Sequence, residues 1–422
     1  MEYRRRIIDD LLDAHLPGLA GVAIEGAKGV GKTATAKRRA ASVVSLNDPR
    51  NRASVAANYD LVAELDPPVF IDEWQLEPQV WDRVRQAVDD DPTAGGRFLL
   101  AGSAGLAPGV RVHSGAGRIV SLTLRPMALS ERGVEETSVS LRELRAGAPV
   151  RGATKFAARN YVDEILSSGF PGIRVLKPAE RDLQLDSYIE RIVQRDMPDN
   201  GVTVRRPAAL RSWLRSYAAA TASTADYTKI LDAATAGEPA KPARETVDGY
   251  REQLRRLFIL DPVDAWTPVF APLKRLTHSP KHHLADPALA ARLVGIGANG
   301  LLVGEGPQIA RTTATWLGAL FESLAVQSVR VYAESMNARV GHLRTKGGDH
   351  EIDIIVESND ATCVALEVKF SGTIGDADVR HLHWLGEQLG DRLVDKVVLH
   401  TGPYAYRRPD GVAVVPLALL GP

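Results

Sequence analysis

The feature that most constrains this chain is the stretch LAGVAIEGAKGVGKTAT at residues 19–35. Its centre, Gly26-Ala27-Lys28-Gly29-Val30-Gly31-Lys32-Thr33, fits the pattern G-x-x-x-x-G-K-S/T, between an apolar run at 22–24 and a helix-compatible run at 33–41 that includes Ala34. Gly26, Gly29 and Gly31 allow positive φ and let backbone N–H groups reach an anion where a Cβ would collide. The helix starting near Lys32 turns its N-terminal partial positive charge on the same anion. Lys32 can span the β- and γ-phosphates of a nucleotide, and the Thr33 hydroxyl can bind Mg²⁺. Residues 26–34 are therefore the expected nucleotide cradle.

The following residues supply what such a loop needs. Apolar runs predict strands at 21–25, 42–46, 69–71, 97–103 and 117–124, and helices at 33–41, 52–65 and 78–90 alternate with them. This alternation predicts a parallel sheet with right-handed crossovers. The third strand runs into Asp72 and Glu73. A carboxylate at the strand tip, Asp72, can hold the Mg²⁺ shell beside Thr33, while Glu73 orients and deprotonates the attacking water. Ser103, at the exit of the next strand, is either a sensor of the γ-phosphate or lytic water, or an ordinary turn serine.

At 422 residues the chain exceeds one core and suggests about three domains. Its formal net charge of zero provides no global field toward DNA or an anionic membrane, so nucleic-acid contact must come from local patches. Cys363 is the only cysteine, which excludes an intrachain disulfide and agrees with reducing cytoplasm. The start, MEYRRRIIDDLLDAH, is acidic where a signal peptide would be apolar, and no apolar run approaches the roughly 20 residues of a membrane span. Neither secretion by that route nor a membrane partner is expected.

The segments GAKGVGKT, VFIDEWQLEP, FLLAGSAGL and GRIVSLTLRPMALSE together resemble prokaryotic AAA-type P-loop ATPases that carry a C-terminal PD-(D/E)XK endonuclease-like domain. SSGFPG at 167–172, YIERIVQRDM at 188–197 and KHHLADPALA at 281–290 resemble later landmarks of that family, so the likeness covers nearly the whole chain. Lys28 departs from it, since arginine is more frequent there. The resemblance implies ATP as cofactor with Mg²⁺, and a homo-oligomer as one option. It makes Arg118 a candidate sensor or inter-subunit arginine; a surface salt bridge is the alternative.

Helical patterns at 207–222, 227–234 and 244–257, followed by an extended stretch from 258 towards 284, have the layout of a winged helix. Arg244, Arg251, Arg255 and Arg256 on the third helix, with Lys274, Arg275, Lys281, His282 and His283 on the hairpin, form either a nucleic-acid surface or a protein contact.

In the C-terminal part, a helix over 313–334 places Glu322 on a stripe of small and apolar residues. A hairpin of 340–344 and 351–356 turns at Gly347 and Gly348, and a strand follows at 363–370, then a helix at 376–389. Glu367 and Lys369 are two apart and share one face; if Asp353 faces the same way, Glu322, Asp353, Glu367 and Lys369 converge. Three carboxylates can bind Mg²⁺ or Mn²⁺, and a lysine can position the hydrolytic water, the arrangement of the PD-(D/E)XK nucleases that this segment resembles.

The expected architecture is thus α/β throughout its N-terminal part, a P-loop NTPase sheet of AAA type over 1–135. A helical lid or linker at 136–205, a winged-helix-like region at 206–305 and an α+β restriction-endonuclease-like domain at 306–422 follow. The expected function is a Mg-dependent ATPase controlling a domain that cleaves or grips DNA. A regulatory switch that binds a protein or DNA partner without cleavage is the alternative.

Overall fold

The structure is a computed structural model that describes residues 3–102, 112–236, 243–268, 276, 279–302 and 310–422. After the helix Ile7–His15 come β1 (Gly21–Glu25), β2 (Ser42–Ser45), β3 (Val69–Asp72), β4 (Phe98–Gly102) and β5 (Ile119–Thr123). They form one parallel sheet in the order β2-β3-β4-β1-β5. β3 and β4 are buried at every position, as strands covered on both faces must be. Alternate residues divide between two cores: Phe70 and Leu99 face the main one, while Ile71, Phe98 and Leu100 pack on the helix Gln79–Asp90 through Val80, Trp81 and Val84. Because all strands run the same way, Glu25, Asp72 and Gly102 meet at one edge.

The expected helix at 33–41 is shorter, Lys32–Lys37. The one at 52–65 is two helices, Pro49–Ala57 and Leu61–Glu64. The first of these begins early because Pro49 sits at its first turn and the Asp48 side chain caps the amide of Arg50 at 2.8 Å.

The chain then adds β6 (Val139–Ser140) and β7 (Gly152–Ala153), a set of helices, and the long helix Ala310–Glu334. Next come β8 (Arg339–Arg344), β9 (Glu351–Glu357), β10 (Cys363–Val368), the helix Asp376–Leu389, β11 (Leu393–His400), β12 (Tyr404–Arg407), β13 (Ala413–Pro416) and β14 (Leu420–Gly421). The second sheet has the order β7-β12-β13-β11-β10-β9-β8. β8, β9 and β10 are antiparallel neighbours, and β10, β11 and β13 are parallel. Val364, Leu366 and Val368 join the core that contains Leu320, Phe321 and Leu324, while Cys363 and Ala365 pack with Val379, Leu382 and Leu385.

Strand pairings bear on two expectations of organisation. β6 pairs with β14 and β7 with β12, so the first part of the expected 136–205 linker is tied into the C-terminal sheets. The helices Pro207–Ala219, Tyr227–Ala234 and Arg244–Arg256 are followed by antiparallel bridges Leu260↔Leu284 and Val263↔Lys281. The tip of this hairpin, where a wing would project, lies outside the described residues. Ala265 bridges to His342 and Leu276 to Thr345, so its arms cover the β8 edge and shield that strand's exposed amides.

Lys281, His282 and His283 are at most 2% exposed and belong to no nucleic-acid surface. Lys274 and Arg275 lie outside the described residues. On the third helix Arg251 pairs with Asp248 at 3.1 Å and Arg256 with Glu252 at 3.1 Å, so much of its charge is compensated locally. No described helix is long and apolar enough to cross a membrane.

Candidate active sites

The glycine-rich loop leaves β1 at the sheet edge that also carries Asp72. Gly26 has φ +148°, and a Cβ there would lie 2.2 Å from the Leu124 carbonyl oxygen, which no side chain tolerates. Gly31, with φ +110°, turns the chain into the helix. Ala27 and Val30 are buried and anchor the loop from beneath. Lys32 donates to the carbonyls of Gly26 and Ala27 at 2.6 and 2.9 Å. Burial pushes its pKa down to about 8, against the opposing pull of Glu73 and Asp72.

Thr33 Oγ1 donates to both Asp72 oxygens, at 3.0 and 3.2 Å, so the two groups that would share a Mg²⁺ shell are in contact. Burial, more than the neighbouring Glu73, pushes the Asp72 carboxyl up. Glu73 sits at φ +54° just beyond β3 and accepts a short hydrogen bond from Gln75 Nε2. Lys28 points outward to Asp196 at 2.5 Å. Exposed Ala34 borders a cavity of about 600 Å³ lined also by Tyr3, Gly31, Val134, Pro171 and Val175, a size that accommodates a nucleoside.

Ser103 lies outside the described residues. For Arg118 the structure shows the salt-bridge alternative within the chain. Gly21 pairs with Ile119, so Arg118 stands at the N-terminal edge of the sheet, about 13 Å of strand away from the loop. It is bound to Asp89 at 2.8 Å and cannot reach the phosphates of its own chain.

The second site is built from both faces of the C-terminal sheet. Glu322 comes from the helix Ala310–Glu334, Asp353 from β9, and Glu367 from β10, with Lys369 just beyond it. Leu366 pairs with Ile354, so Glu367 and Asp353 follow as cross-strand neighbours. Asp353 Oδ2 accepts from the amide of Val368 at 2.9 Å, and Lys369 Nζ donates to Glu367 Oε1 at 2.6 Å. The convergence expected of these four residues is present.

Its centre was not legible in the sequence. Lys281, 1% exposed, places its ammonium 2.8 Å from Glu322 Oε1, 2.8 Å from Asp353 Oδ1 and 3.2 Å from Glu351 Oε1. The expected metal role of Glu322, Asp353 and Glu367 is corrected to that extent. Among the described residues no three His, Cys, Asp or Glu side chains are set to hold an ion, and an ammonium occupies the focus of these carboxylates.

Burial, reinforced by Asp353, pushes both Glu322 and Glu367 up to about 8. Lys281 is held charged, its own burial outweighed by Asp353 and Glu322. Burial opposes ionisation of Asp353 too, but Lys281 and Lys369 hold its carboxyl below the usual range. For Glu322 and Lys281, 2.8 Å apart, the two directions conflict, one favouring a neutral and the other a charged partner. The shortage of cations resolves the conflict: three buried carboxylates share two ammonium groups, so a proton replaces the missing charge.

The sequence reading also missed Arg6, which donates to the Val30 carbonyl at 3.1 Å and pairs with Glu131 at 2.9 Å, propping the loop. It missed an aromatic rim beside the acidic site. His350 stacks on Trp384 at 4.0 Å and meets His381 at 3.3 Å, from the hairpin turn and the helix Asp376–Leu389. The only sequence signal was the HLHWL run at 381–385.

Comparison with protein families matches residues 20–132 to the AAA domain. Residues 158–300 and 317–420 match two domains of unknown function, DUF8612 and DUF4143. No curated protein matches the chain. Among solved structures, a Walker-type ATPase of Pyrococcus abyssi aligns at 15% identity over 68% of this chain and 94% of its own, with a TM-score of 0.41. A RuvB mutant of Thermotoga maritima aligns at 17% identity over 60% of this chain and 86% of that one, with a TM-score of 0.26. The Drosophila ORC bound to DNA aligns at 11% over 66% and 91%, with a TM-score of 0.18. At these scores none of the three bears on function. The family match and the loop geometry make the N-terminal part an AAA-type ATPase domain on a P-loop sheet.

Proposed function

We propose that this protein is an ATP-driven switch in which a Mg-ATP-hydrolysing domain governs a C-terminal site that cleaves a nucleic-acid phosphodiester. The observation that carries the second half is the meeting of Glu322, Asp353, Glu367 and Lys369 from one helix and two strands, with Glu367 Oε2 buried and without a hydrogen-bond partner. A buried, unpartnered carboxylate oxygen is costly unless it has a ligand to meet.

In the first site, the amides of residues 26–33 and Lys32 bind the phosphates. Thr33 and Asp72 would hold Mg²⁺, which supplies charge neutralisation of the phosphates. Glu73, aligned by Gln75, takes the proton of the attacking water. In the second site, Asp353, Glu367 and Glu322 would hold a Mg²⁺ or Mn²⁺ ion only once the Lys281 ammonium has left their focus, and the ion would supply polarisation of the scissile phosphate. Lys369 fixes the attacking water, and the His350–Trp384 stack offers a face for an unpaired base. Arg118, exposed at the far edge, can serve only a neighbouring subunit of a homo-oligomer.

The test is incubation of the pure protein with single- and double-stranded DNA, with Mn²⁺, with and without ATP. Mn²⁺-dependent cleavage lost in both Asp353→Asn and Glu367→Gln is expected; equal residual cleavage in the two variants would assign the activity elsewhere. The central ammonium favours one second reading, a domain that grips a partner without cutting. That reading predicts partner binding unchanged by Glu367→Gln and no cleavage in the unmodified protein.

A further inference from the structure

Lys281 comes from neither strand nor helix of the acidic site. It stands on the segment that bridges to Val263, in the helical part of the chain, and reaches across to the C-terminal sheet. Its ammonium meets Glu322, Asp353 and Glu351 at once and is sealed from solvent. Both Asp353 oxygens are engaged, Oδ1 by Lys281 and Oδ2 by the Val368 amide, whereas Glu367 keeps one buried oxygen unpartnered. The donor set is therefore complete for a divalent ion only when the ammonium leaves. A cation of charge two and an ammonium cannot share the space between the same oxygens, since their repulsion at such distances is large in a buried site.

We propose that Lys281 is the built-in competitor of the divalent cation, holding the acidic site in a metal-free, resting form until it is withdrawn. This rests on the reading of the acidic cluster as a metal-dependent site. The hydrogen bonds of Lys281 substitute for metal bonds and keep mutually repelling carboxylates together. The device needs no separate inhibitor, because the competing charge belongs to the same chain.

The test is Mn²⁺ binding by electron paramagnetic resonance on the full chain, with Lys281→Met compared with wild type. Lys281→Met should bind at least tenfold more tightly, and Asp353→Asn added to it should abolish the gain. Wild-type binding that is unchanged or weaker in Lys281→Met overturns the competition while leaving the metal site in place. No Mn²⁺ bound by either protein overturns the metal site itself, and the competition with it. A second measurement needs no variant: acylation of Lys281 in the wild type, followed by peptide mass spectrometry, should rise several-fold when Mn²⁺ is added. Labelling that stays flat at saturating Mn²⁺ overturns the proposal.

Discussion

Replacing Asp286 by alanine should open the joint between the helical part of the chain and the phosphate loop. Asp286 is fully buried and its carboxylate accepts three hydrogen bonds: from the Gly169 amide at 2.5 Å, the Ser168 hydroxyl at 3.2 Å and the Ala288 amide at 2.8 Å. The last is the N-cap of the helix Pro287–Val294, worth about 1 kcal/mol. A hydrogen bond to a charged acceptor contributes roughly 1.5–3 kcal/mol, and a donor left buried without a partner costs about as much. Asp286→Ala should therefore destabilise this joint by about 3–5 kcal/mol.

Gly169 has no room to move in compensation, because a Cβ there would already press on Met127 backbone atoms at 2.9 Å. Phe170 lies under the loop, 3.9 Å from the place a Gly29 Cβ would take, and packs at a tilt against Tyr188, whose hydroxyl donates to the Lys28 carbonyl at 3.0 Å. Exchange of the amides of residues 169, 170 and 172–174 should accelerate about a hundredfold or more in the variant, and the ATP dissociation constant should rise about tenfold. Unchanged exchange at Gly169 together with unchanged ATP affinity would refute the buttress.

Lys32→Ala should abolish ATP binding in calorimetry, since both the phosphate charge partner and the loop's internal hydrogen bonds disappear; unchanged affinity would sink the loop assignment. Arg125→Ala should cost about 1–3 kcal/mol in thermal or urea unfolding, because it removes one of the two guanidinium partners of half-buried Asp261, whose carboxyl Arg125 and Arg330 hold down at about 2. In chelator, wild-type stability should fall as pH rises from about 4.5 to 8. The folded protein holds a proton on Glu322 across that window, where the unfolded chain has released it, at about 1.4 kcal/mol per pH unit for that one group. Glu322→Gln should flatten this part of the slope; a slope identical to wild type would show that Glu322 ionises normally.

The N-terminal sheet was legible because each signal was local. A glycine pattern, a strand ending in Asp72 and Glu73, and apolar runs of five residues fix one another's places along a short stretch. The set Glu322, Asp353, Glu367 and Lys369 was legible for the same reason, from strand alternation and one out-of-place glutamate. Lys281 was not, because nothing near it in sequence needs a cation; its partners lie 41 and 72 residues away. Lys281, His282 and His283 read as an exposed basic patch, yet tertiary burial placed all three inside. β11 to β14 were missed for a different reason: they are set by pairing with strands distant in sequence or with one another, β11 with β10, β13 with β11, β12 with β13 and β7, and β14 with β6.

Coupling between the two sites requires a contiguous element that nucleotide can bias, because a ligand shifts an equilibrium only by its differential affinity for the two states. Such an element starts at Gly26, which packs directly on Leu124. The next residue, Arg125, pairs with Asp261 at 2.9 Å and with Glu334, and Asp261 also takes Arg330 at 3.0 Å. Arg330 and Glu334 lie on the helix that carries Glu322, while Asp261 lies two residues before Val263, the bridge partner of Lys281. One half-buried knot of charges thus touches the mount of the carboxylate and the mount of its competing ammonium. A displacement of Arg125 that followed phosphate binding would move these two mounts relative to each other, and their separation decides whether Glu322 meets the lysine or another cation. This through-space route is the one a coupling measurement on Arg125 variants would interrogate.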